Sequence, residues 1–381
     1  MAILFWSSVA LVFYAYAGYP LALAALAWAR NRRVARAAIT PRVSFIITAY
    51  NEERRMREKI ENTLGQTYPA DRLEIIVASD GSTDATDDIA RAFGRAVRLV
   101  RARERKGKEA AQKLAVDAAS GEILIFSDTA TALAPDGVSS IVANFADPTV
   151  GCASSIDRFV DESGRPSGEG AYVRYEMFLR ELETRANTLV GLSGSFFAAR
   201  REVCRNWATD RQSDFSTLLN AVDLGLRGVL DPHTAGYYRN IADSARETER
   251  KTRTVVRGIA VLARHVRMLN PFRYGLFAWQ LASHKLCRWL VPFAMIGAAA
   301  GNAALVADAA FYRLTFAAQL AFYAIALAGL RTGAPRLRIP AFLVSSNAAI
   351  LAAWLRFASG ERAAAWTPSE RLTTLPQIGP R

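Results

Sequence analysis

Three carboxylates each follow a short apolar run in this chain, a pattern suited to holding a polyanion through a cation. Val43–Ala49 leads to Glu52, Ile75–Ala78 leads to Asp80, and Ile123–Ser127 leads to Asp128. A carboxylate placed directly after Ile, Leu, Ile and Phe is costly to bury without a partner. Lys106-Gly107-Lys108 adds cations at a predicted helix start, where backbone amides favour an anion. The set suggests a nucleoside diphosphate near a divalent cation, with Mg²⁺ or Mn²⁺ taking carboxylate and phosphate oxygens. Asp80-Gly81-Ser82-Thr83-Asp84 alone would read equally well as a turn and helix cap.

The elements that must position these residues alternate. Predicted strands are Val43–Thr48, Leu73–Ala78, Val97–Arg101, Ile123–Ser127 and Val150–Asp157, with a strand-like Gly228–Pro232. Predicted helices are Glu53–Leu64, Ala85–Phe93, Glu109–Ala119, Pro135–Asn144, Ala171–Val190 and Asp214–Leu226. Strand and helix in turn make an α/β domain with a largely parallel sheet, whose ligands bind at the carboxyl ends of the strands. Asp161–Gly170 reads as a mobile loop, rich in Gly, Ser and charge.

The chain has 381 residues and a formal charge of +13. Met1–Ala29 carries no charged residue, and further apolar segments lie at about Trp289–Ala307, Leu314–Leu330 and Ile339–Leu355. These read as membrane spans around one polar domain. Arg30, Arg32, Arg33 and Arg36 directly after the first segment place that end in the cytosol. Pro20 is a candidate kink in this segment. Arg246–Arg267 is a basic amphipathic helix, and Phe272–His284 suits an approach to the bilayer surface. Basic flanks on both sides of the last segment cannot both be cytosolic if it spans; it is read as a span, with the tail unassigned. The expected domains are therefore 1–29 (span), 41–240 (cytosolic domain), 241–287 (interfacial helices), 288–356 (two to three C-terminal segments) and 357–381 (tail). Three scattered cysteines and three histidines give no disulfide framework, zinc site or Ser-His-Asp hydrolase. No nucleic-acid motif accompanies the positive charge.

Thr48-Ala49-Tyr50-Asn51-Glu52, Asp80-Gly81-Ser82-Thr83-Asp84, Lys108 and Gly121–Asp128, in that order, resemble the family 2 glycosyltransferases. The closest similarity is to membrane-integrated bacterial members such as the poly-N-acetylglucosamine, hyaluronan and cellulose synthases. It extends to Ser283-His284-Lys285 with Arg288-Trp289 and to the tail Trp366–Arg371. The resemblance implies a GT-A fold between N- and C-terminal transmembrane helices, a nucleotide-sugar donor, most simply a UDP-sugar, and inversion at the anomeric carbon. Thr48, Ala49, Tyr50 and Glu52 would hold base and ribose, and Asp80 the uracil or ribose. Lys108 would lie near the nucleotide, and Asp128 would bind the metal diphosphate. Asp214 would be the general base, with Ser193 and Gly194 on the acceptor side and Arg250 and Arg253 facing the leaving diphosphate. The implied acceptor is a lipid-linked or polysaccharide glycan, the implied place is the bacterial inner membrane, and the implied partners include other polysaccharide-assembly proteins.

The chain departs from the family in three places. The second acid of Asp-x-Asp is Ala130, the residue before Asp214 is Ser213 rather than an acid, and Gln-x-x-Arg-Trp is replaced by Arg250-Lys251-Thr252-Arg253. These favour addition of one or a few sugars over processive synthesis. They also keep open a non-catalytic reading, a nucleotide-sugar-binding or scaffolding subunit of a polysaccharide assembly; a polyprenyl-phosphate sugar transferase of the same fold is a third reading. Asp84 reads as a helix cap, Asp231-Pro232-His233 as a turn, and His284 and Lys285 as headgroup anchors.

Overall fold

The computed structural model describes residues 1–160, 171–239, 244–361, 375, 376 and 378. The expected loop 161–170 and the tail motif 366–371 lie outside the described residues. The chain divides into two compact units, 26–242 with 364–381, and 1–25 with 243–363.

The chain begins with α1 (Ala2–Phe13), a π-helical turn (Tyr14–Gly18) and α2 (Tyr19–Arg30). Pro20 cannot donate to the preceding turn, and the extra residue of the π turn sits directly before it, which is where a helix absorbs such a defect.

The first unit is built on an eight-stranded sheet. Its strands are β1 (Val43–Ala49), β2 (Leu73–Ser79), β3 (Arg98–Arg101), β4 (Ile123–Asp128), β5 (Ala132–Leu133), β6 (Val150–Val160), β7 (Phe196–Arg200) and β8 (Arg227–Arg239). They lie in the order β3-β2-β1-β4-β7-β6-β8-β5. β1 to β4 are parallel neighbours, and β7 runs antiparallel to both β4 and β6. All seven residues of β1 are buried because helices cover both faces of the sheet. Phe45 and Ile47 point to one core with Met56, Ile60 and Val77. Ile46 points to the other with Ala111, Ala115, Leu124, Phe126 and Phe197.

The covering helices are α3 (Glu53–Leu64), α4 (Thr86–Arg91), α5 (Lys108–Ala118), α6 (Gly137–Val142), α7 (Ala171–Ala186) and α8 (Ser213–Asp223). Asp84 does cap: its carboxylate accepts Thr86 N at 3.0 Å and Glu53 N at 3.1 Å, so one aspartate serves two helix starts. β8 runs well past the predicted end at Pro232. Its register against β6 shifts between the Ser154–Leu230 and Ile156–Ala235 pairs. Asp231 stabilises that bulge by accepting His233 N at 3.0 Å, and the strand then resumes.

The second unit joins the N-terminal helix to α9 (Ser244–Arg264), α10 (Pro271–Tyr274), α11 (Leu276–Leu281), α12 (Arg288–Leu305), α13 (Ala310–Thr332) and α14 (Arg338–Ala358). Among the described residues three helical stretches are long and apolar enough to cross a membrane: Ala2–Arg30, Ala310–Thr332 and Pro335–Ala358. α12, expected as a further span, is not one of them; Arg288 and a buried Asn302 lower its hydropathy. His284, expected at the headgroups, is instead buried, its ring 6.1 Å from that of Tyr19. It belongs to a second π-helical stretch, Ala282–Cys287, tied to the first by Tyr14 and Ser283, whose hydroxyl oxygens lie 2.7 Å apart. α9 packs on α14 through Arg356, which donates to both carboxylate oxygens of Glu249 at 2.6 and 2.9 Å.

Candidate functional site

The parallel strands bring the three acids to one edge of the sheet. Thr48 pairs with Asp128 across β1 and β4, and Ala49 pairs with Ser79 across β1 and β2. Glu52, Asp80 and Asp128 therefore leave the sheet side by side, as their positions after apolar runs predict.

Each acid has a different environment. Glu52 sits at the start of α3 and takes Arg55 Nε at 2.8 Å and Nη2 at 2.6 Å on Oε2. Burial pushes its carboxyl above the usual range; Arg55 pulls it down, and nearby Asp128 and Asp84 push it up. Asp80 is wholly buried, and its oxygens accept the backbone amides of Lys106 and Gly107 at 2.9–3.0 Å. It thus anchors the 102–107 loop, and burial raises its carboxyl although those amides lower it. Asp128 remains 28 % exposed and accepts Lys108 Nζ at 2.5 Å.

Lys108 is the hub of the site. It opens α5, and its ammonium also donates to Gly194 O at 2.9 Å. Gly194 in turn lies against Asp214: a Cβ added there would stand 3.3 Å from Asp214 Oδ2. Asp214 lies in the first turn of α8, is 8 % exposed, and accepts Gln212 Nε2 at 3.0 Å. One peptide thus links the predicted base to the predicted phosphate-binding acid. Asp128 N also donates to Ser195 O at 3.0 Å, tying the same loop to the end of β4.

Other predicted residues have structural partners. Thr48 is buried, with Oγ1 accepting Gln112 Nε2 at 3.2 Å, and Ala49 is wholly buried. Tyr50 is half-buried at the rim. Ser193 donates to Asp157 Oδ1 at 2.6 Å, and Ser195 joins the same oxygen at 3.0 Å. Arg250 and Arg253 lie on α9 in the helical unit. Burial and neighbouring Arg257 lower the Arg253 pKa.

Sequence reasoning passed over Lys59, Arg105, Asp157 and Gln212. Lys59 is wholly buried behind the end of β4, donating to Ser127 Oγ at 2.7 Å and Thr131 O at 2.6 Å. Burial pushes its pKa down to about 7, against the pull of Asp128. A signal was present: Arg55, Met56, Lys59, Ile60 and Thr63 form the buried stripe of α3 at helical spacing.

The donor set for a divalent cation is sparse. Among the described residues no group of three or more His, Cys, Asp or Glu side chains converges. The partly exposed Asp128 carboxylate, one oxygen of which is engaged by Lys108, can offer a ligand to a cation that arrives on a diphosphate, with phosphate and water completing the shell. The residues fit a metal held in that way and not one held by protein alone.

Residues 44–207 match the model for glycosyl transferase family 2. A 91-residue stretch is 36 % identical to the glycosyltransferase AglE of Haloferax volcanii, covering 23 % of this chain and 30 % of that protein. A 120-residue stretch is 30 % identical to an N-acetylglucosaminyltransferase of Bradyrhizobium elkanii, covering 30 % of this chain and 65 % of that protein. The matched segments thus span less than two thirds of these curated relatives. Both units find a counterpart in the mannosyltransferase PcManGT of Pyrobaculum calidifontis, solved with GDP-Man and Mn²⁺. The similarity covers 94 % of this chain and 99 % of that one at 26 % identity and a TM-score of 0.74.

Proposed function

We propose that this chain, which carries a family 2 glycosyltransferase domain on the GT-A fold, moves a sugar with inversion from a nucleotide-sugar to a hydroxyl of a lipid-linked or polysaccharide acceptor at a membrane. The observation that carries the reading is the chain Asp214–Gly194–Lys108–Asp128, in which a buried carboxylate, a carbonyl, an ammonium and a second carboxylate meet at the strand ends.

Asp214 takes the proton of the acceptor hydroxyl as that oxygen attacks the anomeric carbon, and the bond from that carbon to the diphosphate oxygen breaks on the opposite face. Gln212 and the close approach of Gly194 hold the Asp214 carboxylate in one orientation. Lys108 transfers its charge from Asp128 to the leaving diphosphate, so charge develops where a cation already stands. A bound Mg²⁺ or Mn²⁺ at Asp128 supplies further neutralisation of that leaving group. The helical unit holds the acceptor at the bilayer, with three apolar helices long enough to span and a basic α9 suited to anionic headgroups. Arg30, Arg32, Arg33 and Arg36 favour a cytosolic catalytic domain at a bacterial plasma membrane.

A guanosine nucleotide is a second reading of the donor beside UDP. It is favoured by the GDP-Man complex of the mannosyltransferase whose whole length this chain matches.

The test is release of nucleoside diphosphate by the detergent-purified protein across UDP- and GDP-sugars, with Mg²⁺ or Mn²⁺ and lipid extract. Asp214→Asn should abolish release while nucleotide binding persists. Binding without release from any sugar would instead support a non-catalytic subunit. Transfer onto polyprenyl phosphate would replace the hydroxyl acceptor.

A further inference from the structure

The turn that joins Lys108 to Asp214 has no sheet bonds of its own. The ladder between β6 and β7 runs from the Cys152–Ala199 pair to the Ser154–Phe197 pair and stops there. The backbone groups just before Phe197 must find other partners. Side chains of β6 supply them. Ser154 Oγ accepts Ser193 N at 2.7 Å, and Ser155 Oγ donates to Phe196 O at 2.8 Å. Both of these serines are wholly buried.

Asp157, two residues further along β6, holds the middle of the turn. Its Oδ1 accepts Ser193 Oγ at 2.6 Å and Ser195 Oγ at 3.0 Å. A hydroxyl has one proton, so both protons are committed to this one carboxylate oxygen. The two Oγ atoms are drawn to 3.0 Å apart, and Ser193 Oγ accepts Ser195 N at 3.3 Å. Gly236 of β8 pairs with Asp157, and a Cβ there would stand 3.4 Å from Phe196 Cβ and 3.6 Å from Ser195 Oγ, so the turn is packed from that strand as well. Asp157 itself is half-buried, and its charge strengthens both hydroxyl bonds.

With its side chains held by β6, the turn gives its carbonyls to the site. Gly194 O accepts Lys108 Nζ, Ser195 O accepts Asp128 N, and Gly194 lies against Asp214. We infer that Asp157 is a positioning residue for the transfer: through the Ser193 and Ser195 hydroxyls it fixes the turn that sets Lys108 and Asp214 relative to each other. The inference rests on the transferase reading above and adds to it a residue that touches neither nucleotide nor acceptor.

The test is steady-state release of nucleoside diphosphate by the full-length protein in detergent, with UDP- and GDP-sugars, Mn²⁺ and lipid extract, beside equilibrium binding of the diphosphate. Asp157→Ala should lower kcat about tenfold or more while the diphosphate Kd stays within about threefold, because the base is misplaced and the phosphate ligands remain. Asp157→Asn keeps an oxygen that can accept both hydroxyls, so it should hold kcat within about threefold of wild type. On a Ser193→Ala/Ser195→Ala background, Asp157→Ala should cost less than about twofold more, since the bonds it removes are already gone. If Asp157→Ala melts well below wild type, Asp157→Asn and the serine pair decide the matter. Loss of turnover in Asp157→Asn equal to that in Asp157→Ala would overturn the inference, since the carboxylate would then act by its charge on a substrate. So would a full additional loss on the serine background, or a Kd that weakens in step with kcat. Each of these outcomes leaves the transferase reading standing. A wild type that releases no diphosphate from any donor would remove that reading, and the positioning role with it.

Discussion

Replacing Lys59 with methionine separates what this lysine costs the fold from what it does for the site. Its pKa falls from 10.5 to about 7 on burial, and at about 1.4 kcal/mol per pH unit that is a penalty of roughly 5 kcal/mol for carrying the charge. Methionine removes the penalty but leaves Ser127 Oγ and Thr131 O without their donor, at about 1–3 kcal/mol each. Near pH 6 the lysine is charged in both folded and unfolded chains, the two effects nearly offset, and the variant should match wild type. Above pH 7 the folded wild type sheds the proton while the unfolded chain keeps it. The unfolded state then binds more protons, and wild-type stability rises with pH. By pH 9 that gain is about 3 kcal/mol, so the variant should fall behind wild type by this amount, or roughly 8 °C in melting temperature. Thermal melts of both proteins from pH 6 to 9 measure it. Nucleotide affinity measured alongside should drop in the variant at every pH, because the Ser127–Thr131 turn that carries Asp128 has lost its anchor. A melting difference that stays constant with pH would refute the assignment of a near-neutral lysine. Unchanged nucleotide affinity would refute the anchoring role.

Three further perturbations probe other parts of the site and fold. Gly194→Ala puts a methyl group 3.3 Å from Asp214 Oδ2; transfer should fall about tenfold through misplacement of the base, with the melting temperature little changed. Lys108→Met frees Asp128 of its ammonium, so Mn²⁺ should bind more tightly by calorimetry while turnover falls about tenfold or more. Glu74 is held below the usual carboxylate range by Ser44 and Ser120 hydrogen bonds, which outweigh its burial. Its stabilisation is present above pH 4.5 and lost as pH falls through the lower folded value; Glu74→Gln should therefore melt less steeply with acid than wild type.

The parallel half of the fold was legible because its signals are local. Val43–Ala49 is apolar enough for a strand buried on both faces, and α3 begins and ends where the sequence predicts, Glu53–Leu64. Asp128 was legible because a carboxylate after Ile-Leu-Ile-Phe-Ser is conspicuous. The end of β8 was misread because Pro232 looks like a terminator, whereas a bulge lets the strand continue. Arg105 gave no signal, since the ring it stacks on, that of Tyr50, lies fifty-five residues earlier in the chain. Lys59 was readable from the stripe of α3, but a lysine among apolar residues passes as a surface cation until its partners are seen.

The paired bonds between Arg356 and Glu249 have a bearing on where the chain leaves the helical unit. They fasten the last turn of α14 to the amphipathic α9. Whichever side of a bilayer receives the basic face of α9 also receives the departure point of the polypeptide after Ala358. The point where the chain leaves α14 is thereby tethered to the amphipathic α9.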